Sequence, residues 1–306
     1  MVKMVKLQQG TKEWLDWRLS GITATEAACA MGVSKWGTAL SVWKDKLDPK
    51  PHETSEYEEW GTLLEDVIKF RKFGKEHPEF EVRQGECYED GWRKCSLDGE
   101  LYDRDGNFVA ILEIKTASSE SGWDPIPKGY VAQAQWQMHV TGIRKVYFAV
   151  LVQGHHYLER EIDYDPEYCE RLEVACKKLW DCICDRVPPA ADPDHADIDQ
   201  DAVNEIAGEA TDKLESYELS EEEYALFCEL KERLSEDERR FKAQKLVLTQ
   251  YLTRHKYLTC HGNRVGQMVA MKPRESVDAV ALRTEFPEVY EKVRKIGKPT
   301  FYPKFG

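Results

Sequence analysis

No run of apolar residues in this 306-residue chain approaches the roughly 18 that would cross a bilayer. The N-terminal stretch MVKMVKLQQG also lacks the apolar core of a secretory signal, so the expected setting is the cytoplasm. A disulfide framework is missing too. The nine cysteines are odd in number and irregularly spaced, as expected of reduced thiols. Neither Cys182-x-Cys184 nor Cys260-His261 makes a zinc or iron–sulfur pattern, and Cys169, Cys176 and Cys182, near helical spacing, read as core. The chain has no basic excess. A net charge of −13 counts against a broad passive nucleic-acid surface, but not against an enzyme with a few cations in one groove and carboxylate-held metals. There is no internal repeat.

What is present suits a globular protein of one or two domains, with 42% hydrophobic and 32% charged residues. In WLDWRLSGITATEAACAMGVS a helix or turn breaks at Gly21, and Thr23-x-x-Glu26 forms a capping box that starts a second helix. SEYEEWGTLLEDVIKFRKFG predicts a helix with Trp60, Leu64, Val67 or Ile68 and Arg71 on one face and Gly74 as its stop. Strands are expected at 80–88, 93–102 and 108–116, a helix over GYVAQAQWQMHVTG, a buried strand at KVYFAVLVQ and a closing helix at 166–186. PPAADPDHADIDQDA is proline-rich, acidic and poor in apolar residues, and reads as a linker. Beyond it, Ser220-x-x-Glu223 and Ser235-x-x-Glu238 open two helices or one long charged helix to about His255. A turn at HGNR, a strand and a short helical piece around 278–295 follow.

The informative stretch is CSLDGELYDRDGNFVAILEIKTAS. Asp105-Gly106 is a hairpin signal, because a type I′ turn needs positive φ at both central residues. With that turn Asp98 lies opposite Glu113, while Glu113 and Lys115, two apart, share a face and Leu112 and Ile114 point to the core. Opposed carboxylates repel at Cβ separations of roughly 5 Å and call for a cation, and Mg²⁺ or Mn²⁺ fits. Lys115 beside it would hold or activate a water and offset phosphate charge. An exposed hairpin face with ordinary charges suits the same pattern, and a three-residue loop would slip the register.

Asp, a spacer and Glu-x-Lys on a hairpin resemble the PD-(D/E)XK nuclease signature. RLSGITATEA, WGTLLED, CSLDG, LEIKTA and YVAQAQWQMHVTG, five blocks in order over about residues 14–145, resemble the lambda-exonuclease family, or YqaJ-like viral recombinases. The resemblance implies an α/β fold: a restriction-endonuclease-like core with a central mixed β-sheet flanked by helices, and a mainly helical C-terminal appendage. The expected divisions are 1–188 for the nuclease core, 189–215 for the acidic linker and 216–306 for the helical extension with a short strand pair. Carried over, Glu65, Asp98 and Glu113 would be metal ligands with the main-chain carbonyl of Ile114, the shell of two Mg²⁺ ions, which Mn²⁺ would replace. Lys115 would orient and activate the attacking water, Gln133 would position that water or the scissile phosphate, and Arg18 and Thr25 would bind a 5′ phosphate.

Each residue also has its own physical reading. Glu65 follows Gly61 by one turn, where a missing side chain would let another backbone approach. Thr25 sits in the first turn of a capped helix, where free N–H groups favour an anion. Arg18 would equally pair with Asp16 or Glu13. Spacing does not choose among Gln133, Gln135 and Gln137. The segment from Thr116 to Tyr130 is short and rich in Ser, Gly and Pro, and departs from the family pattern.

The implied activity is 5′→3′ degradation of one strand from linear duplex DNA ends, leaving 3′ single strands. The implied partner is a single-strand annealing protein, and the implied assembly a homo-oligomeric, trimeric ring without a membrane. An endonuclease with the same site and a non-catalytic DNA-binding scaffold are the rival readings. The intact Glu65, Asp98, Glu113 and Lys115 speak against the scaffold.

Overall fold

The computed structural model describes residues 2–49, 54–210, 216–270 and 278–295. Two compact units divide the chain, the first running to Glu209 and the second from Ala210 to Thr300.

The first unit opens with strand β1 (Lys3–Val5) and helices α1 (Lys12–Leu19), α2 (Ala24–Ala30), α3 (Ala39–Leu47) and α4 (Glu56–Asp66). The break between α1 and α2 falls at Gly21 as expected, and a Cβ there would lie 2.2 Å from the Trp92 carbonyl oxygen. The Thr23 amide donates to the Glu26 carboxylate at 2.8 Å, which fixes the start of α2. Helix α4 does not stop at Gly74. It continues as π-helix over Val67–Phe73 and ends in the short α5 (Gly74–Glu76). The wider π turn rotates the apolar stripe, so Trp60 and Val67 are exposed while Ile68 and Phe73 are buried.

Strands β2 (Glu81–Gln84), β3 (Cys87–Asp90), β4 (Arg93–Ser96), β5 (Gly99–Tyr102) and β6 (Phe108–Ala117) follow, then α6 (Lys128–Thr141), β7 (Lys145–Val152), β8 (His156–Asp163) and α7 (Pro166–Asp185). The main sheet has the order β2-β5-β6-β7-β8 and a smaller one the order β1-β3-β4. Only β6 and β7 run parallel in the main sheet, because α6 carries the chain back between them. This is the expected central mixed sheet flanked by helices.

Residues 93–102 do not form one strand: the chain leaves the small sheet after Ser96 and enters the large one at Gly99. Close packing at Gly85, where a Cβ would lie 2.0 Å from the Leu97 carbonyl oxygen, accompanies that switch. Strand β8 had no forecast.

Alternation along the strands makes two cores. Ile111, Val146, Phe148 and Val150 face α2, α6 and α7, meeting Trp136, Met138, Leu172, Cys176 and Leu179. Leu101, Leu112, Ile114 and Ala149 face the other way, against Ile68 and Phe73. Burial of these side chains, worth about 1.5–3 kcal/mol each, fixes which face of β6 carries its charges. Cys169 and Cys176 are core residues, as their spacing suggests.

The acidic stretch read as a linker is partly helical: α8 spans Ala196–Ala210. Its Asp199 is buried, accepting hydrogen bonds from the Thr38 hydroxyl and from the Asp192 amide at 2.7 Å. Thr38 is the capping residue of α3, so this carboxylate ties α8 to α3, as does Glu205, which pairs with Lys44 at 2.5 Å. Residues 211–215 of that stretch lie outside the described ones.

The second unit consists of one long helix α9 (Glu221–Leu252), a hairpin of β9 (Tyr257–Cys260) and β10 (Asn263–Gln267), and short helices α10 (Ala279–Glu285) and α11 (Pro287–Val293). Ser220 caps α9, and Ser235 starts no second helix.

Candidate active site

Strands β5 and β6 pair with Gly99 opposite Leu112 and Glu100 opposite Ile111, the register in which Asp98 faces Glu113. The turn that produces it differs from the two-residue form expected. The Gly106 amide donates to the Asp103 carbonyl at 3.0 Å and Asp103 pairs with Asn107, so the loop is longer, with Gly106 at φ +82°. That loop alone slips the register by one. A bulge then places Leu101 opposite Ala110 after Tyr102 opposite Phe108, and the extra residue, Val109, restores it.

Glu113 is 1% exposed and saturated with donors. Its Oε1 accepts from Lys115 Nζ and from Gln133 Nε2 at 2.5 Å, and its Oε2 accepts from Gln137 Nε2 at 2.7 Å. Gln133 and Gln137 are one helical turn apart on α6 and grip the two oxygens of one carboxylate. Gln135 points elsewhere, donating to the Asp163 carbonyl and accepting from the Asp165 amide. The sequence left Gln137 open beside Gln133 and Gln135, and the resemblance carried over Gln133 alone; the i,i+4 spacing of Gln133 and Gln137 was the signal that joins them. The Gln137 Oε1 atom is buried and without a hydrogen-bond partner.

Asp98 accepts the Ile114 amide at 2.8 Å. Burial pushes its carboxyl up to about 7, the charges of Glu113 and Glu65 add to the rise, and Lys115 opposes it. Lys115 behaves oppositely. Burial disfavours its charge, but Glu113 and Asp98 outweigh burial and hold it above the usual lysine value. It is therefore held as a cation. Its ammonium also lies 5.1 Å from the centre of the Tyr130 ring.

Glu65 lies near enough for its charge to act on Asp98, but its carboxylate is held by Lys69 at 2.9 Å. Lys69 is fully buried and also donates to Gln84 at 2.8 Å. The expected close approach at Gly61 is absent: a Cβ there meets nothing within 4 Å. Among the described residues no three carboxylate, imidazole or thiol groups are gathered as a metal shell. The oxygen donors that come together are those of Asp98 and Glu113, with Glu65 drawn toward Lys69.

Beside this cluster opens a cleft of about 580 Å³, lined by Gln133, Tyr130, Thr116, Lys128, Lys35 and Thr25 among others. Thr25 is thus in the same cleft as Gln133. Arg18 does not line it. Its guanidinium stacks over Trp14 at 4.6 Å, and its carbonyl accepts from Lys46 Nζ at 2.6 Å. Lys46 in turn pairs with Glu26, the residue after Thr25, at 2.8 Å. Burial lowers the Lys46 pKa, Glu26 resists the fall, and the nearby charges of Arg18 and Lys94 add to it.

Residues 13–144, which include every residue of this cluster, match the model of the YqaJ-like viral recombinase domain. That stretch is similar to the domain over 132 of the 306 residues. This family is the one that the five sequence blocks resemble. The chain is also 29% identical over 318 residues to the uncharacterized protein YqaJ of Bacillus subtilis (strain 168), covering 96% of this chain and 93% of that protein. Among solved structures, it is similar to an alkaline exonuclease (LHK-Exo) from Laribacter hongkongensis, with 20% identity, coverage of 58% of this chain and 94% of that one, and a TM-score of 0.49. A phage-related exonuclease from Haemophilus somnus has 13% identity, coverage of 54% and 96%, and a TM-score of 0.41. The matched stretch ends within the first unit, and the likeness to the Bacillus protein continues into the second. No helix among the described residues is long and apolar enough to cross a membrane.

Proposed function

We propose that this protein is a divalent-metal-dependent nuclease that degrades one strand, 5′→3′, from the ends of linear duplex DNA and leaves 3′ single strands for recombination. The observation that carries the reading is Glu113 buried under Lys115, Gln133 and Gln137 and facing Asp98, all within the stretch that matches the recombinase domain. Hard cations take carboxylate oxygens, and such an ion relieves the burial cost and the repulsion from Glu113 that together raise Asp98 to about 7. Asp98 and Glu113, with Glu65 once released from Lys69 and the Ile114 carbonyl, would hold Mg²⁺, or Mn²⁺ in its place, as two ions. When bound, the metal supplies Lewis acidity and charge neutralisation at the scissile phosphate.

The remaining work falls to the chain. Gln133 and Gln137 fix the orientation of Glu113. Lys115, held cationic, donates to the attacking water and offsets phosphate charge. Thr25, in the cleft that Gln133 lines, serves the 5′ phosphate, and Arg18, which stacks on Trp14 outside that cleft, would join it only after leaving the ring. Duplex ends are the substrate, a single-strand annealing protein the partner, and a trimeric ring of nuclease units in the cytoplasm the assembly. Digestion of linear duplexes labelled separately at each end tests this: release of the 5′ label first, only with Mg²⁺, is expected. Cutting of covalently closed circles would favour an endonuclease, and no cleavage of any duplex would favour a scaffold.

A further inference from the structure

We propose that α9 is a self-association surface that pairs antiparallel with α9 of a second copy of this chain. The helix has 32 residues, about 48 Å at 1.5 Å per residue, and buries none of them. Phe227, Leu230, Leu234, Asp237, Phe241, Gln244, Leu248 and Tyr251 recur at alternating spacings of three and four, a seam with the heptad period of a coiled coil. Leu234 and Phe241 on that seam are 62% and 69% exposed. A seam of this length left in water is a surface shaped for another helix.

Charge selects the occupant and its direction. Residues 221–238 carry eight acidic and two basic side chains, while residues 239–252 carry four basic and no acidic ones, and Arg254 and Lys256 follow. The helix dipole favours such a bias only within the terminal turns, so it does not account for charges from Glu229 to Lys245. A second α9 laid parallel would set acid on acid and base on base. Laid antiparallel about a dyad near Arg239, each half meets its opposite. In that register Phe227 faces Tyr251, Leu230 faces Leu248, Leu234 faces Gln244 and Asp237 faces Phe241, with Glu238 flanking Lys245 of the second copy. Arg233 and Arg240 fall together, but each has an acid one turn away in its own helix, Glu229 at 3.6 Å and Asp237 at 3.5 Å. The polar layers at Asp237 and Gln244 lower affinity and fix the register.

The test uses the full chain and reads mass in solution by light scattering. Lys242→Glu with Lys245→Glu reverses the basic half, and Glu229→Lys with Glu238→Lys reverses part of the acidic half; circular dichroism checks that both variants remain helical. Each variant alone should fall to half the parent's mass or less at low salt, and an equimolar mixture of the two should regain it. The parent's own mass should fall as salt rises, since attraction between opposite halves is screened. A parent with the same mass as both variants at low salt, or one whose mass grows with salt, would overturn the proposal. Nuclease activity is not the readout, so this outcome is independent of the function proposed above.

Discussion

Three side-chain donors fix both oxygens of the buried Glu113. Such a residue keeps its place with or without a metal, whereas Asp98, raised to about 7, is destabilised as an anion until a cation arrives. Asp98→Asn and Glu113→Gln should therefore abolish hydrolysis, and Asp98→Asn should melt no lower than the parent in EDTA. Near-normal cleavage by either variant would remove these residues from the mechanism. Gln137 donates to Glu113 and, in the proposed mechanism, positions it. Replacing it by Leu should lower metal affinity and rate by roughly 10–100-fold, the usual effect of losing the partner of a metal ligand. Calorimetric titration with Mg²⁺ separates the two quantities, and an unchanged affinity would mean that Gln137 only fills space.

Between strands, the β5–β6 hairpin shows how two deviations cancel. The loop at Asp103–Asn107 is longer than an Asp-Gly turn, and the bulge at Val109 returns the slipped register. Gly106 makes that loop possible at φ +82°, in open space where a Cβ meets nothing within 4 Å. Gly106→Ala should cost about 1 kcal/mol, wholly conformational, which chemical denaturation will measure. A second device joins three elements: Glu173 on α7 accepts from Arg93 on β4 at 2.8 Å and meets His139 on α6 at 3.3 Å. Burial works against its charge, but His139 and Arg93 prevail and hold it down at about 2, from an ordinary 4.5. A carboxylate depressed in the folded state stabilises above its unfolded pKa, and that stability disappears as pH falls through the folded value. Glu173→Gln should thus lose about 2 kcal/mol at pH 7, a gap that closes between about pH 4.5 and 2. A gap of equal size at pH 2.5 would assign the loss to packing instead.

At the scale of the whole molecule, the two units differ in how they are held. The first has two cores on the faces of one sheet and is closed by α8 through Asp199; the second is built on a helix with no buried residue. A chain ending at Ala210 should keep the thermal midpoint of the first unit and any cleavage activity. Loss of cooperative melting in that truncated chain would show that the second unit is needed for the first to fold.

The sequence by itself determined what depends on local period and spacing. A repeat of two puts Glu113 and Lys115 on one face of β6 and Leu112 and Ile114 on the other, whatever the rest of the chain does. Capping residues at Thr23 and Ser220 start their helices because side chains three residues on satisfy free backbone groups. The facing of Asp98 and Glu113 was legible too, although by way of a turn that is not there. Tertiary structure alone decided the rest. Residues 93–102 read as one strand, since the switch between sheets at Leu97–Asp98, packed closely against Gly85, leaves no periodic trace. Of three glutamines on α6, two turn to Glu113 and one to β8, a choice made by which face of the helix meets the sheet. Lys69 is fully buried where the helix widens into a π turn, and α8 docks through Asp199, a buried carboxylate that composition counts as solvated. These contacts join residues far apart in the chain, or change the phase of a helix part-way along, and neither is written in local spacing.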